Sequence, residues 1–181
     1  PIGSAQSSYL TLNVPSNIGP SISSFVVESV DGMNGLSIRG RSRVRLTANA
    51  TPGSGASSMA TYTFSGNHVN EGDGSSSRTV YNPANSSVIN TGILNYTGAA
   101  TYTVTVADMR GRTASASLGI EVFEYSPPAI VSMSVQRCDA NGSLNENGTY
   151  AYVTVNSQYT TLYHNNTNYN RRTVVLTNSA N

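Results

Sequence analysis

The chain repeats itself at a spacing of about 108 residues, and this repeat limits the size of its folding unit. The stretch NIGPSISSFVVESVDGMNG at 17–35 returns as YSPPAIVSMSVQRCDANG at 125–142. The aligned pairs are Pro20 and Pro128, Ile22 and Ile130, Phe25 and Met133, Val27 and Val135, and Asp31 and Asp139. A unit of about 107 residues with some seven short strands has the size of an immunoglobulin-like sandwich.

Apolar and polar residues alternate along most of the chain, which is typical of strands with one buried face. In ATYTVTVADMRGRTASASLGIEV, Tyr102, Val104 and Val106 share one face, and the alternation resumes after a turn at 108–111. This pattern predicts an antiparallel hairpin. SRVRLTANA repeats the alternation, and ATYTFSG and SSVINTGIL are shorter strand candidates. No window has helical periodicity with helix caps, so the sequence predicts an all-β fold of antiparallel sheets.

The repeat divides the chain into three parts. Residues 1–17 are expected to supply the last strand and linker of a preceding immunoglobulin-like bead, because Leu10, Leu12 and Val14 alternate. Residues 18–126 are predicted to form a complete sandwich, and residues 127–181 the N-terminal part of a further, truncated bead. The joint at 126–128 should be short and extended, because a residue before proline avoids the α region.

The predicted core of the complete sandwich follows from the shared face of the alternating strands. Its members are Phe25, Val27, Val44, Leu46, Tyr102, Val104, Val106, Leu118, Ile120 and Val122. Tyr102, at the start of a late strand, is also predicted to be a tyrosine corner whose hydroxyl bonds to nearby backbone. The single cysteine, Cys138, is interpreted as a buried apolar residue.

Two stretches carry a resemblance to a known family. LNVPSNIGPSISSFVVES, and the run YTVTVADMRGRTASASLGIEVFEYSPPAIVSMSVQRCDANGSLNENGTYAYVTV, resemble the minor structural proteins of siphovirus tails. The resemblance covers nearly all of the chain and is most specific in DMRGRTAS and in PP…RCDANG…NENGTY. It implies tandem immunoglobulin-like beads in the tail tip or baseplate, with a structural or host-attachment role and no catalytic residues.

The sequence contains no recognisable catalytic motif. It has no G-x-S-x-G, Walker loop, H-E-x-x-H or C-x-x-C, and its two histidines, His68 and His164, both stand beside Asn. The carboxylates are scattered, apart from Glu71 and Asp73 in a glycine-rich turn. We therefore expect a protein that is not an enzyme and has no cofactor.

The segment DANGSLNENG at 139–148 has oxygen ligands that a hard cation prefers. Its spacing fails the EF-hand pattern, and turn-forming Asn and Gly explain it equally well. We predict no metal site. The net charge of +1 and the absence of a long apolar run favour neither nucleic-acid binding nor a membrane span.

The segment RGRSRVR suggests a charged contact face. All ten basic residues of the chain are arginine, and four of them alternate here on what the sequence predicts to be one strand face: Arg39, Arg41, Arg43 and Arg45. The row could bind wall phosphates or carboxylates of a neighbouring subunit. Alternatively, it is a solvated strand face that discourages edge-to-edge aggregation.

Tyrosine is concentrated after residue 149, at Tyr150, Tyr152, Tyr159, Tyr163 and Tyr169. Aromatic rings can stack on sugars or serve at interfaces, but tyrosine is also a preferred strand residue. The resemblance to siphovirus tail proteins implies a virion protein of the phage tail, exposed on the extracellular side, and we expect it to form homo-oligomers and to contact other tail or baseplate subunits. A carbohydrate-binding module for host cell-wall polysaccharide and a bacterial surface adhesin repeat are the alternatives.

Overall fold

The computed structural model describes residues 18–56, 58–70 and 74–177, and every regular element within them is a β-strand. The strand predicted within residues 1–17, and the pair Glu71 and Asp73, lie outside the described residues. The strands are β1 Ser21–Val30, β2 Ser37–Ile38, β3 Arg43–Thr51, β4 Met59–Ser65, β5 Ser77–Tyr81, β6 Ser86–Asn90, β7 Gly98–Asp108, β8 Thr113–Phe123, β9 Ala129–Cys138, β10 Tyr150–Gln158, β11 Tyr163–His164 and β12 Thr167–Asn168. The all-β prediction is confirmed.

The first eight strands form two sheets that share one apolar core. One sheet has the order β1-β3-β6 and the other the order β2-β8-β7-β4-β5. All neighbouring strands are antiparallel except the two-residue β2, which runs parallel to the end of β8. Buried side chains of β3 and β6 on one sheet belong to the same cluster as those of β4 and β7 on the other. We call this sandwich the first unit.

Most of the predicted core lies inside the first unit. Six of the ten predicted residues are buried, and Phe25, Val27 and Ile120 are partly buried against the same cluster. Leu118 is the exception, because 43% of it is exposed. β2 pairs only with Val122 and Phe123, so β8 is the edge strand of its sheet over the rest of its length, which includes Leu118.

Tyr102 is completely buried, but its hydroxyl does not bond to backbone nearby in sequence, as a tyrosine corner would. Its hydroxyl donates to the backbone oxygen of Asn67 at 3.1 Å, in the loop after β4, and lies 3.2 Å from the Tyr96 hydroxyl. A Cβ atom at Gly66 would overlap the Tyr102 ring, and the φ of Gly66 is 144°. Glycine is therefore required where this loop crosses the ring. The predicted hydroxyl-to-backbone bond exists, but its partner is 35 residues away in sequence.

The hairpin of β9 and β10 repeats the pair of β1 and β3. β9 begins and ends 108 residues after β1, and β10 begins and ends 107 residues after β3. The register shift between Ile22 and Ser24 in β1 recurs opposite Ile130, where the partner register jumps between Asn156 and Ser157. The repeat seen in the sequence is thus a repeat of backbone structure. We call the strands β9–β12 and the segment up to residue 177 the second unit.

The joint between the units is held by side chains that are distant in sequence. Leu162 is almost completely buried and packs in one cluster with Leu36 and Ile38 of the first unit. The Asn170 side-chain amide donates to the backbone oxygens of Ser126 and Thr160. His164 contacts the Phe123 ring edge-on, with 5.6 Å between ring centroids. The two units therefore share a small core beside residues 126–128.

Candidate contact surfaces

The four arginines of the predicted contact row do not stand on one strand. Only Arg43 and Arg45 belong to β3, while Arg39 and Arg41 lie in the turn between β2 and β3. In this turn Gly40 has a φ of 73°, and the NH groups of Arg41 and Ser42 both donate to the Ile38 oxygen. The chain reverses where the sequence pattern predicted a continuous strand, because a glycine with positive φ starts a turn there.

Three of these arginines differ in their surroundings. The Arg39 guanidinium donates to the Glu124 carboxylate at 2.8 Å, and both side chains are about half exposed. Arg41 donates through Nε to the backbone oxygen of Asp31 at 3.0 Å. Arg45 is exposed, and its register partner on β1 is Glu28. The surface around β2 and β3 is therefore basic, and carboxylates offset part of its positive charge. Of the four arginines, only Arg43 and Arg45 share a strand face.

The best-anchored charge in the first unit is at the turn between β7 and β8. Asp108 is buried, and its Oδ1 accepts from the NH groups of Arg110 and Arg112 at 2.9 and 3.1 Å. Its Oδ2 accepts from Arg112 Nε at 3.0 Å and from the Gly53 NH at 3.3 Å. Burial alone would raise the pKa of Asp108, but the hydrogen bonds and charge of Arg112 outweigh it, so the pKa lies below its ordinary value. The sequence analysis had assigned this stretch only a turn.

The segment considered as a cation site is built as the same kind of turn. Asp139 Oδ1 accepts from the NH groups of Asn141 and Ser143, each at 2.9 Å, as Asp108 Oδ1 does two and four residues on. Asn145 Oδ1 likewise accepts from the Asn147 NH. The Oδ1 atoms of Asp139 and Asn145, which could have bound a cation, thus accept hydrogen bonds from the loop backbone. Within the part of the chain that the structure describes, no group of three or more His, Cys, Asp or Glu side chains could hold a metal ion.

The histidines and the cysteine lie apart from one another. His68 follows β4, His164 packs on Phe123 at the joint, and Cys138 is buried at the end of β9, as predicted. The described residues form no helix that could cross a membrane.

Tyrosines of the second unit form an exposed aromatic surface. Tyr150 and Tyr152 stand two residues apart on the outer face of β10, and each is about half exposed. Tyr163 on β11 is also exposed, whereas Tyr159 packs against Arg172, whose guanidinium carbon is 5.4 Å from the ring centroid. The sequence analysis identified these residues by composition; the structure brings Tyr150 and Tyr152 together on one face.

The sequence analysis missed the role of Leu162. This residue is the one aliphatic side chain in the polar run QYTTLYHNNTNYN, and an isolated leucine in such a run is a signal for a local buried contact.

Comparison with known proteins adds no relative. No protein-family model matches the chain, and no curated protein is significantly similar to it.

Proposed function

We propose that the chain is a non-enzymatic structural component of a phage tail tip or baseplate, in which immunoglobulin-like sandwiches in tandem act as spacer and host-attachment module. The observation that carries the proposal is the repeated hairpin. β9 and β10 reproduce β1 and β3 in length, register and irregularity, as expected of consecutive beads in an array.

The strand order supports the immunoglobulin-like assignment. A three-stranded sheet of β1, β3 and β6 facing a sheet of β8, β7, β4 and β5 corresponds to strands A, B and E facing G, F, C and C′. The short β2, parallel to β8, fits a first strand that switches between the sheets.

The joint supports the role of spacer. Leu162 packs against the end of the first unit, and Asn170 donates a hydrogen bond to the Ser126 oxygen. Contacts from outside residues 126–128 therefore restrict motion at the joint. A spacer needs this property, since a free linker would let successive beads swing independently. In this role the partners are other tail or baseplate subunits, including further copies of the chain, and the location is the virion, on its extracellular side.

Labelling of virions tests the proposal. Fab fragments raised against the first unit should decorate the tail tip of particles from the virus that encodes the chain, in negative-stain electron micrographs. Label on a bacterial surface, with unlabelled particles, would overturn the proposal in favour of a surface adhesin.

The paired tyrosines favour a second candidate function, a carbohydrate-binding module for host cell-wall polysaccharide. Tyr150 and Tyr152 present two rings on one exposed strand face, and aromatic rings stack on sugars. Titration calorimetry with purified wall polysaccharide separates the candidates. A binding module shows saturable binding that a Tyr150→Ala/Tyr152→Ala variant weakens about tenfold or more, equivalent to about 1.4 kcal/mol.

The matched control is Tyr81→Ala, because Tyr81 is an exposed strand tyrosine of the first unit. Loss of binding in this control as well would indicate nonspecific stacking. A pure spacer shows no saturable binding at all.

A further inference from the structure

Three asparagines of the chain directly precede glycine: Asn34, Asn141 and Asn147. In such a pair the backbone nitrogen of glycine can attack the side-chain amide carbon of asparagine, because glycine has no side chain to hinder the approach. Asparagine belongs to the thermally labile residues. In a folded protein, a hydrogen bond from the glycine NH opposes this attack, so the three pairs can be compared by the partners of their glycines.

Asn34 and Gly35 form the exposed tip of a tight turn between β1 and β2. Met33 and Leu36 exchange two backbone hydrogen bonds around them, at 3.1 and 2.9 Å. The φ of Asn34 is 52° and that of Gly35 is 80°. Two positive values are typical of a type I′ turn, which favours Asn-Gly. Within the described residues, no atom accepts a hydrogen bond from the Gly35 NH. The attacking nitrogen of this pair is therefore free.

The glycines of the other two pairs are held. The Gly142 NH donates to the Asp139 backbone oxygen at 3.1 Å, and the Gly148 NH donates to the Asn145 backbone oxygen at 2.9 Å. In each turn, the NH of the asparagine before the glycine also donates to a side-chain oxygen of the same turn. Both glycines are partly buried, whereas Gly35 is exposed. Attack by either nitrogen requires one of these turns to open first.

The turn at Asn34 lies against the joint between the units. Leu36 is buried in one cluster with Ile38 and Leu162, and Met33 packs against the same cluster. Both residues that close the turn therefore contact the small core of the joint. A change in the backbone between Met33 and Leu36 acts directly on the contact with Leu162.

We propose that Asn34 is a site of spontaneous deamidation, and that its conversion to isoaspartate loosens the joint between the units. The Gly35 nitrogen loses its proton and forms a bond to Asn34 Cγ, and the side-chain nitrogen leaves as ammonia, which gives a cyclic succinimide. Water then opens the ring at one of its two carbonyls. One opening gives aspartate, and the other gives isoaspartate, whose main chain runs through Cβ and Cγ. Water is the only co-reactant.

Isoaspartate changes the turn in two ways. It adds one carbon atom to the main chain, and it places a carboxylate beside the joint. The two hydrogen bonds between Met33 and Leu36 fit a turn of two ordinary residues, so a longer backbone weakens this pairing. Leu36 then loses its fixed position against Leu162. This inference does not depend on the proposed role in a phage tail.

Peptide mapping of the whole chain, sampled during incubation at mildly alkaline pH, tests the site. Trypsin places Asn34 in the peptide that ends at Arg39, and Asn141 and Asn147 in the peptide 138–171. Mass spectrometry with electron-transfer fragmentation locates each conversion and distinguishes isoaspartate from aspartate. Asn34 should convert at least about fivefold faster than either other asparagine. This factor corresponds to about 1 kcal/mol, the net free energy of one hydrogen bond.

Hydrogen exchange of the isoaspartate fraction tests the effect on the joint. Exchange should become faster at residues 36–38 and around Leu162, because their shared core loosens. The matched control is Asn34→Gly, which suits the same turn type and has no side chain to deamidate. After the same incubation, its joint should exchange as in fresh protein. Conversion at Asn34 no faster than at Asn141 would overturn the proposal. Unchanged exchange at the joint, or an equal rise in the control, would overturn it as well.

Discussion

The pair β1–β3 and the pair β9–β10 share one backbone plan and have opposite environments. Their strands have the same lengths and the same register irregularity, yet Phe25 and Val27 pack against a core while Met133 and Val135 are exposed. Strand pairing is therefore specified locally, by alternation and by the hairpin itself. Burial is specified by what lies across from the hairpin, and within the described residues the five-stranded sheet faces the hairpin of the first unit.

This difference also separates structural side chains from those free to make contacts. In the first unit, aromatic residues such as Tyr62, Phe64 and Tyr102 are completely buried. In the second unit, Tyr150, Tyr152 and Tyr163 are exposed. The buried aromatic residues of the first unit therefore contribute to its stability, whereas exposed tyrosines, including Tyr81 of the first unit, contribute little to a core.

Truncation of side chains on these strand faces should give the largest difference in stability between the β1–β3 pair and the β9–β10 pair. Leu46→Ala removes a completely buried side chain and should lower the free energy of unfolding of the first unit by about 3 kcal/mol. Val135→Ala, on the corresponding face of the second unit, should cost less than about 0.5 kcal/mol. Hydrogen exchange measured by mass spectrometry resolves the two units. Equal losses would mean that Met133 and Val135 are covered in solution.

The joint should respond next, since among the described residues the second unit contributes Leu162 to a buried apolar cluster there. Leu162→Ala should cost about 2 kcal/mol in the docking of the units and broaden the distribution of interunit distances, because a buried leucine leaves a cavity. Small-angle scattering should show a broader distribution of interatomic distances than the unchanged chain gives. Leu144→Ala, at an exposed position of the β9–β10 loop, is the control and should leave the scattering profile unchanged.

Features that depend on neighbouring residues could be predicted from the sequence. Features that depend on contacts between distant segments could not. The alternation around Tyr102 and Leu118 located β7 and β8 and the turn between them, because strand faces are a local property. It could not show that β8 lies at the edge of its own sheet, so it placed Leu118 in the core. Alternation also continued through Gly40, where a backbone turn separates Arg39 and Arg41 from β3.

For contacts between distant segments, the local sequence could not identify the partner residues. The burial of Leu162 depends on Leu36 and Ile38, more than 120 residues earlier in the chain. The Tyr102 hydroxyl was correctly expected to bond to backbone, but its partner at Asn67 depends on how the loop after β4 folds. The function of the arginines stays a prediction, because their placement constrains it without testing it.

The buried Asp108 turn should make the stability of the first unit sensitive to acid. Because hydrogen bonds and Arg112 lower the folded-state pKa of Asp108, its contribution to stability is complete above pH of about 5 and is lost as the pH falls through that lowered value. Asp108→Asn should therefore destabilise the first unit at neutral pH and make its stability less dependent on pH below about 4. Asp139→Asn makes the same change in an exposed turn with the same backbone hydrogen-bond pattern, so it is the matched control. Thermal unfolding followed by circular dichroism across this pH range measures both variants.

The arginines should give the smallest effect on stability and the clearest effect on contacts. Replacing Arg39, Arg41, Arg43 and Arg45 together by Ser removes, among other contacts, a half-exposed ion pair with Glu124 and one bond to the Asp31 backbone. Exposed pairs contribute about 0–1 kcal/mol, so the melting temperature of the first unit should change little. If the surface binds an anionic partner, assembly or adsorption weakens, and the difference from the unchanged chain shrinks as salt screens the charges. The matched control is Arg78→Ser, which removes an exposed arginine from β5 on the other sheet. Adsorption and assembly unchanged by the fourfold replacement would leave these arginines as solvated side chains that keep strand edges apart, and contacts would then have to come from the second unit.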